Sequence, residues 1–218
     1  MGRRPPPAVE RVSGTVRWLA AGLTVVGVVA AVLVSRHTTA RTVIVASSAE
    51  PRAIVSGSDL AVLSSGQPPS IEQATGWLNT SPVTDASLRG RVVLFDFWTF
   101  ACVNCQHTLS HMKAWQQRYS PDGLMIVSIH TPEFDFEAVP DNVSDYLTSN
   151  GITYPVALDP DRKIWRSWDN HYWPAFYLYD QQGRLRMRHF GEGAYDSMED
   201  AIRVLLGVDQ NSSRADVS

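Results

Sequence analysis

The 218-residue chain contains two cysteines, Cys102 and Cys105, and the pair Val103-Asn104 separates them. Two thiols at this spacing can form a reversible disulfide, so the pair predicts a redox-active dithiol. The cysteines follow shortly after the apolar segment 92–98, which has the pattern of a buried strand. A helix that begins at Cys102 leaves its first backbone N–H groups without intrahelical partners and places partial positive charge beside the sulfur. Both effects favour the thiolate, so Cys102 is the expected nucleophile.

The phase of the helix predicted over residues 102–119 separates the two sulfurs. At about 100° per residue, Cys105 lies in a stripe of large apolar side chains, namely Leu109, Met112, Trp115 and Tyr119. We therefore expect a buried, poorly ionised Cys105 beneath an accessible, acidic Cys102. This arrangement suits thiol–disulfide exchange, in which one thiolate attacks and the second thiol resolves the mixed disulfide.

Other uses of the two cysteines remain open at this point. A structural disulfide across two residues closes too short a loop to constrain the unfolded chain much. A zinc or copper site could recruit His107 and His111, but their imidazoles lie about 140° from Cys105 around the helix, so four ligands do not converge on one ion. A copper-binding metallochaperone could instead combine both thiols with His130 or His171.

Several residues predicted to lie near the cysteines could act in proton transfer or in substrate binding. Asp96 interrupts the apolar strand and shares one face with Trp98. A carboxyl buried there has a raised pKa and could deprotonate Cys105; a partly solvated strand-end aspartate is the alternative. Pro174 begins a strand-like run, and an X-Pro bond is the one place where a cis peptide is inexpensive. Trp98 and Trp173 are candidates for lining a substrate groove.

Several motifs occur in an order that resembles a known family. They are Val93–Cys105 around the dithiol, Leu124–Glu133, Tyr154–Asp159, Trp173–Ala175 and Gly183–Gly191. In this order they resemble the membrane-tethered TlpA/ResA-like thioredoxins, and most closely the thioredoxin-like domain of DipZ-type proteins. The resemblance covers about residues 71–207.

The resemblance implies roles for individual residues. Pro174 would be a cis-proline facing the dithiol, and the backbone of Trp173 would pair with an extended substrate segment. Asp96 would be the family's buried acid. Glu133 falls where the ResA-like branch has an active-site glutamate that modulates thiol pKa, and an ordinary surface-loop glutamate is the alternative.

The N-terminal region carries a membrane-targeting pattern. Residues 18–34 contain no charged residue, and this run exceeds the apolar core of about 7–15 residues in a cleaved signal peptide. The basic residues within 1–17 predict a cytoplasmic N-terminus, which places the rest of the chain outside a bacterial cytoplasmic membrane. We predict an uncleaved, single-pass signal anchor, with cleavage near residues 46–49 as the alternative.

The remainder predicts one α/β domain. Residues 35–70 are expected to form a tether with a short hairpin at 53–63, residues 71–207 the domain, and residues 208–218 a disordered tail. The predicted strands are 92–98, 124–129, 154–158, 175–180 and 184–190, and the predicted helices are 102–119, 136–149, 161–168 and 196–206.

This order of elements predicts a three-layer sandwich with helices on both faces of a mixed central sheet, and the resemblance implies that this sandwich is a thioredoxin fold. Residues 131–170 are an insertion relative to a minimal thioredoxin, as in the TlpA-like branch. Asp85 is expected to cap a short helical turn before Gly90, and Gln182-Gly183 to turn the last hairpin.

Charge and family together indicate the partners. Residues 1–41 carry a net charge of +5 and residues 42–218 carry −8, which gives no basic patch for nucleic acid. The resemblance implies an oxidoreductase for disulfides of exported proteins, in cytochrome c maturation or envelope thiol maintenance, with no cofactor beyond its own disulfide and no metal. Because cytosolic reductant cannot reach Cys102 outside the membrane, a CcdA/DsbD-type membrane electron donor is implied.

A thiol peroxidase is the other enzyme class to consider. Thr99 precedes Cys102 at the Thr-x-x-Cys spacing of peroxiredoxins, which would make Cys102 peroxidatic. That family also has a proline four residues before the threonine, where this chain has Phe95. The spacing alone therefore gives weak support for this class.

Overall fold

The computed structural model describes residues 60–217. The segments predicted as cytoplasmic N-terminus (1–17) and signal anchor (18–34), and the tether up to residue 59, lie outside the described residues. Within residues 60–217, no helix combines the length and the apolar character needed to cross a membrane.

The elements alternate between strand and helix along most of the chain. The strands are β1 (Gly76–Leu78), β2 (Val92–Trp98), β3 (Leu124–His130), β4 (Val156–Leu158), β5 (Ala175–Tyr179) and β6 (Leu185–Phe190). The α-helices are α1 (Val103–Tyr119), α2 (Pro140–Ser149), α3 (Lys163–Ser167) and α4 (Tyr195–Leu206). Short 3-10 helices cover Asp85–Leu88 and Asp135–Ala138.

The six strands form one mixed sheet in the order β1-β4-β3-β2-β5-β6. The β2–β3 and β3–β4 pairs are parallel, and the other pairs are antiparallel. All seven residues of β2 are buried, as expected for a strand with neighbours on both edges and helices on both faces. The C-terminal end of the central strand β2, and the cysteines that follow it, therefore lie at one end of the sheet.

Alternate residues of β2 serve two separate cores. Val92, Leu94 and Trp98 pack against α1, α2 and α4 on one face. On the other face, Val93, Phe95 and Phe97 pack against an aromatic layer that includes Trp165, Trp168, Tyr177 and Tyr179. The predicted three-layer sandwich is confirmed, and so is the predicted buried stripe of α1.

Several local predictions differ from the structure. The predicted helix 136–149 is divided into a 3-10 helix and α2, because Pro140 lacks an N–H donor and begins a new helix at its first position. The turn before Gly90 is capped by Thr84 rather than by Asp85, whose carboxylate instead accepts from the Ile71 N–H at 3.1 Å. Strand β1 has only three residues, too few for a periodic pattern.

The expected boundaries of the domain also differ. Residues assigned to the tether pair with β6, since Ser64 forms a bridge with Leu185 and the Leu63 N–H donates to the Leu185 carbonyl at 2.8 Å. The tail expected to be disordered contacts α4. There the buried Arg203 donates to the carbonyls of Asp209 and Ser212 at 2.8 and 2.9 Å. A buried guanidinium needs such acceptors, and the tail supplies them.

Candidate active site

Cys102 occupies the N-cap of α1, directly after the loop that leaves β2. Its extended backbone (φ −73°, ψ 113°) leaves the sulfur over the first turn, where the Cys105 N–H donates to Sγ at 3.3 Å. Cys105 is 1% exposed, whereas Cys102 is half-buried. The Cys105 thiol donates to the Cys102 sulfur, and the two sulfurs lie 2.6 Å apart as free thiols. The pair can thus form a disulfide with little movement.

The surroundings of the two sulfurs push their pKa values in opposite directions. The hydrogen bond from the Cys105 thiol is the main cause that lowers the pKa of Cys102 to about 7, and the backbone N–H groups of Cys105 and Asn104 add to it. Partial burial and the Glu133 carboxylate act against this lowering. Burial raises the pKa of Cys105 far above its ordinary value. Near neutral pH, one accessible thiolate is therefore backed by one buried thiol.

Asp96 lies in β2 beneath the dithiol and is 1% exposed. The alternative of a partly solvated strand-end carboxylate is therefore wrong. Ser128, its neighbour in register on β3, donates to Asp96 Oδ2 at 3.0 Å. Burial raises the pKa of Asp96 to about 7, the Ser128 hydrogen bond opposes this, and the charge of Cys102 adds to it. A carboxyl that titrates near neutral pH can accept and return a proton there.

Glu137 is a fully buried carboxylate that the sequence interpretation missed. It accepts hydrogen bonds from the Thr99 hydroxyl and from the Ala101 N–H at 2.8 Å, in the loop just before Cys102. It also accepts from the N–H groups of Glu133 and Phe134 at 2.9 and 3.0 Å. One carboxylate thus joins the loop before the nucleophile to the loop after β3.

Glu133, the acid that the resemblance singled out, is exposed. Its backbone is bound to Glu137, and its carboxylate is near enough to Cys102 to raise the pKa of that thiol. No sequence signal distinguished the two acids, because Glu137 lay in the first turn of a predicted helix, where acidic residues are common.

Trp173 and Pro174 form the loop before β5, and the bond between them is cis, as the resemblance implied. The Trp173 indole donates to the Thr131 carbonyl at 3.1 Å, and its ring lies 4.3 Å from that of Trp165. Trp173 is half-buried, so part of it is accessible. Trp98 differs from the groove-lining prediction, since it is 1% exposed and packs on the His130 ring.

The two histidines considered for a copper site, His130 and His171, form no metal-binding group with the thiols within the described residues. His130 is 2% exposed, and burial lowers its pKa to about 4. His171 is exposed and pairs with Asp169 at 3.1 Å. Across residues 60–217, no group of three or more His, Cys, Asp or Glu side chains is arranged to hold a metal ion.

Sequence comparison identifies a family and several relatives that are consistent with a dithiol site. Residues 68–188 match the AhpC/TSA family. Protein DipZ of Mycobacterium tuberculosis is 46% identical over 146 residues, which are 66% of this chain and 21% of DipZ. The thiol-disulfide oxidoreductase YkuV of Bacillus subtilis is 26% identical over 138 residues, which are 63% of this chain and 93% of YkuV. The chain thus spans about a fifth of DipZ and nearly all of YkuV.

Solved structures show the same fold. A thioredoxin-like protein in its oxidised form is 27% identical, with a TM-score of 0.58 over 66% of this chain and 97% of the other. A thiol:disulfide interchange protein from Chlorobium tepidum TLS is 22% identical, with a TM-score of 0.55 over 65% of this chain and 97% of the other. Fold and dithiol together define a thioredoxin-like domain with a Cys-x-x-Cys site, and both the predicted thioredoxin fold and the predicted TlpA/ResA-like resemblance are confirmed. By its sequence, the chain belongs to the AhpC/TSA family.

Replacing Glu137 by Gln should destabilise the domain strongly. All four partners of this carboxylate are donors, and a Gln side chain turns an N–H donor toward some of them. We expect the free energy of unfolding, measured by urea denaturation of the reduced protein, to fall by at least about 2 kcal/mol. Glu133→Gln is the matched control and should change it by less than about 0.5 kcal/mol. Equal effects of the two substitutions would contradict the role of Glu137.

Replacing Asp96 by Asn should stabilise the reduced protein at high pH. The folded-state pKa of Asp96 is raised from 3.8 to about 7, so the folded state binds the extra proton and the parent loses stability as the pH rises from about 4 to about 7. Above pH 7, Asp96→Asn should be more stable than the parent by on the order of 4 kcal/mol, and this difference should vanish below about pH 4. Urea denaturation across this pH range measures it. A difference that does not change with pH would contradict the raised pKa.

Proposed function

We propose that this protein is a membrane-anchored thiol–disulfide oxidoreductase that reduces disulfides of exported proteins through Cys102 and Cys105. The observation that carries the proposal is the unequal pair of sulfurs at the start of α1. Cys102 is accessible and its pKa is lowered to about 7, whereas Cys105 is buried, protonated and in contact with it. Such a pair can attack a disulfide and then release itself from the product.

The reaction that we propose is a two-step exchange. The Cys102 thiolate attacks one sulfur of the client disulfide, forms a mixed disulfide, and releases the other client sulfur as a thiolate that takes a proton from water. Cys105 then loses its proton and attacks Cys102 Sγ, which releases the second client sulfur as a thiolate that takes up a proton in turn. The client gains two electrons and two protons, and the protein is left with a Cys102–Cys105 disulfide.

Asp96 is the proposed acceptor for the Cys105 proton. It is buried, its charge contributes to the raised pKa of Cys105, and its own pKa near 7 allows it to be protonated and deprotonated in each cycle. Glu133 is the proposed modulator of Cys102, because its carboxylate raises the pKa of that thiol from an exposed position.

The cis Trp173–Pro174 loop is the proposed binding site for an extended client segment. Its conformation is held by the Trp173 indole on the Thr131 carbonyl and by the Gly191 N–H on the Pro174 carbonyl at 2.8 Å. The accessible part of Trp173 would then contact the client backbone. Trp98 supports this region from below through the Thr131 N–H, which donates to the Trp98 carbonyl at 3.0 Å.

In this proposal, the N-terminal sequence determines on which side of the membrane the site lies. Residues 18–34 would anchor the chain in a bacterial cytoplasmic membrane and leave the domain outside, joined by the remaining tether. The oxidised protein then needs a reductant on that side, and a CcdA/DsbD-type membrane carrier with its own dithiol can supply two electrons. Clients in cytochrome c maturation or envelope thiol maintenance fit such a reductase.

The thiol peroxidase alternative gains no support from Thr99. In a peroxidase with this spacing, the hydroxyl would be expected to assist the Cys102 sulfur. Here Thr99 is fully buried, and its hydroxyl donates to Glu137 and lies 3.3 Å from His130 Nε2. The Thr99 hydroxyl thus helps to hold the loop before Cys102 to the loop after β3.

Replacing Cys105 by Ser should trap clients on Cys102, because the mixed disulfide can no longer be resolved from within the protein. Expressed in a bacterial host, Cys105→Ser should accumulate disulfide-linked adducts with exported proteins, detected by non-reducing electrophoresis and identified by mass spectrometry. Cys102→Ser is the control and should form none. Adducts that persist in Cys102→Ser, or none in Cys105→Ser, would contradict the proposed order of attack. Apocytochromes among the adducts would support the maturation role.

A further inference from the structure

Two exposed phenylalanines extend from the dithiol along the insertion. Phe134 and Phe136 are 50% and 51% exposed, and their rings are nearly parallel with centroids 5.8 Å apart. The Phe136 ring also lies 5.7 Å from that of Phe100, two residues before Cys102. We call these three rings the aromatic platform. Contiguous exposed apolar surface of this kind usually marks an interaction site.

The platform is held firmly beside the nucleophile. Glu137 binds the N–H groups of Ala101 and Phe134, so the loop that leads to Cys102 and the start of the platform share one buried carboxylate. The Phe100 ring stacks on Tyr146 at 5.4 Å and on His130 at 5.6 Å. The exposed rings therefore keep a defined position relative to the reactive sulfur, which a docking surface requires.

The chain segment that carries the platform is acidic, and Arg162, which follows it, donates to the Pro132 carbonyl at 2.7 Å and lies over the Trp173 ring. Residues 119–161 contain eight aspartates or glutamates and neither lysine nor arginine. Four of these acids are exposed and take part in none of the ion pairs seen within residues 60–217: Glu133, Asp135, Asp141 and Asp145.

These carboxylates are tied to the platform by the chain and by local contacts. Glu133 and Asp135 flank Phe134 in sequence. Asp141 precedes Asn142, whose amide donates to the Phe136 carbonyl at 2.8 Å. Asp145 precedes Tyr146, on which Phe100 stacks. The result is an apolar surface with a negative border, directly beside the dithiol.

We propose that the aromatic platform docks a cysteine-containing segment of a partner protein that has apolar residues beside its cysteine and lysine or arginine further out. This inference rests on the proposed function and specifies its substrate class. The exposed rings would bury the apolar residues, and the unpaired carboxylates would attract the basic ones and speed the encounter. An acidic segment would be repelled by the same border.

The test compares the full-length reduced protein with two synthetic disulfide-linked peptides. Both contain Leu-Cys-Leu and differ only in two flanking residues, lysines or glutamates; 2-hydroxyethyl disulfide serves as a small uncharged substrate. At low ionic strength, the lysine peptide should react about tenfold faster than the glutamate peptide, and the two rates should converge in about 1 M salt. Quench-flow with mass spectrometry measures the rates.

Two matched triple variants distinguish the effect of the acids beside the platform from the effect of the protein's net charge. Asp135→Asn/Asp141→Asn/Asp145→Asn should abolish most of the preference and leave the rate with 2-hydroxyethyl disulfide unchanged. Asp122→Asn/Asp209→Asn/Asp216→Asn removes three charges elsewhere and should keep the preference. Phe136→Ala should slow both peptides about threefold or more without affecting the small disulfide.

The outcomes distinguish this inference from the function on which it rests. If the small disulfide is not reduced, the proposed function fails, and this inference fails with it. If it is reduced but the peptides react equally, or the distant variant loses the preference as fully as the local one, only the docking surface is overturned. A dimer in sedimentation velocity that Phe136→Ala dissociates would assign the platform to a second copy and also overturn it.

Discussion

The contact between the two sulfurs at the first turn of α1 is the interaction on which the site depends. Cys102 accepts from both the thiol and the N–H of Cys105, so a negative charge on Cys102 is stabilised by the residue that later attacks the Cys102 sulfur and releases the client. This geometry requires that a buried strand end within a few residues of the helix start. The alternation in β2 meets that requirement, because it fixes the strand in the sheet by packing on both faces.

The insertion at residues 131–170 holds the loops on both sides of the dithiol in place. Its buried Glu137 fixes the loop before Cys102, and its Thr131 carbonyl holds the indole of Trp173. The loops on both sides of the dithiol therefore depend on one segment after β3. A polar junction of this kind is costly unless every donor and acceptor is matched, and matched junctions hold a single geometry. The same segment carries the exposed rings and acids of the proposed docking surface.

Local patterns predicted most of the fold and the centre of the site. Helix phase correctly assigned burial to Cys105, and strand alternation placed Asp96 on the same face of β2 as Trp98, where it is buried. Glu137 could not be predicted, because its role depends on donors from loops that are distant in sequence. The contacts of the tail with Arg203 escaped prediction for the same reason, and β1 is too short to show a period. Trp98 was a candidate for lining the substrate groove, because a tryptophan near a reactive residue can pack inward or outward, and only the tertiary structure decides which.

The most direct test is an NMR titration of the reduced protein with ¹³Cβ-labelled cysteine, which reports each sulfur separately. Cys102 should titrate with a midpoint near pH 7, and Cys105 should remain a thiol up to at least about pH 10. If both sulfurs titrate together near the pKa of free cysteine, or if Cys105 ionises first, the unequal pair does not exist and the assignment of nucleophile and resolving thiol is wrong.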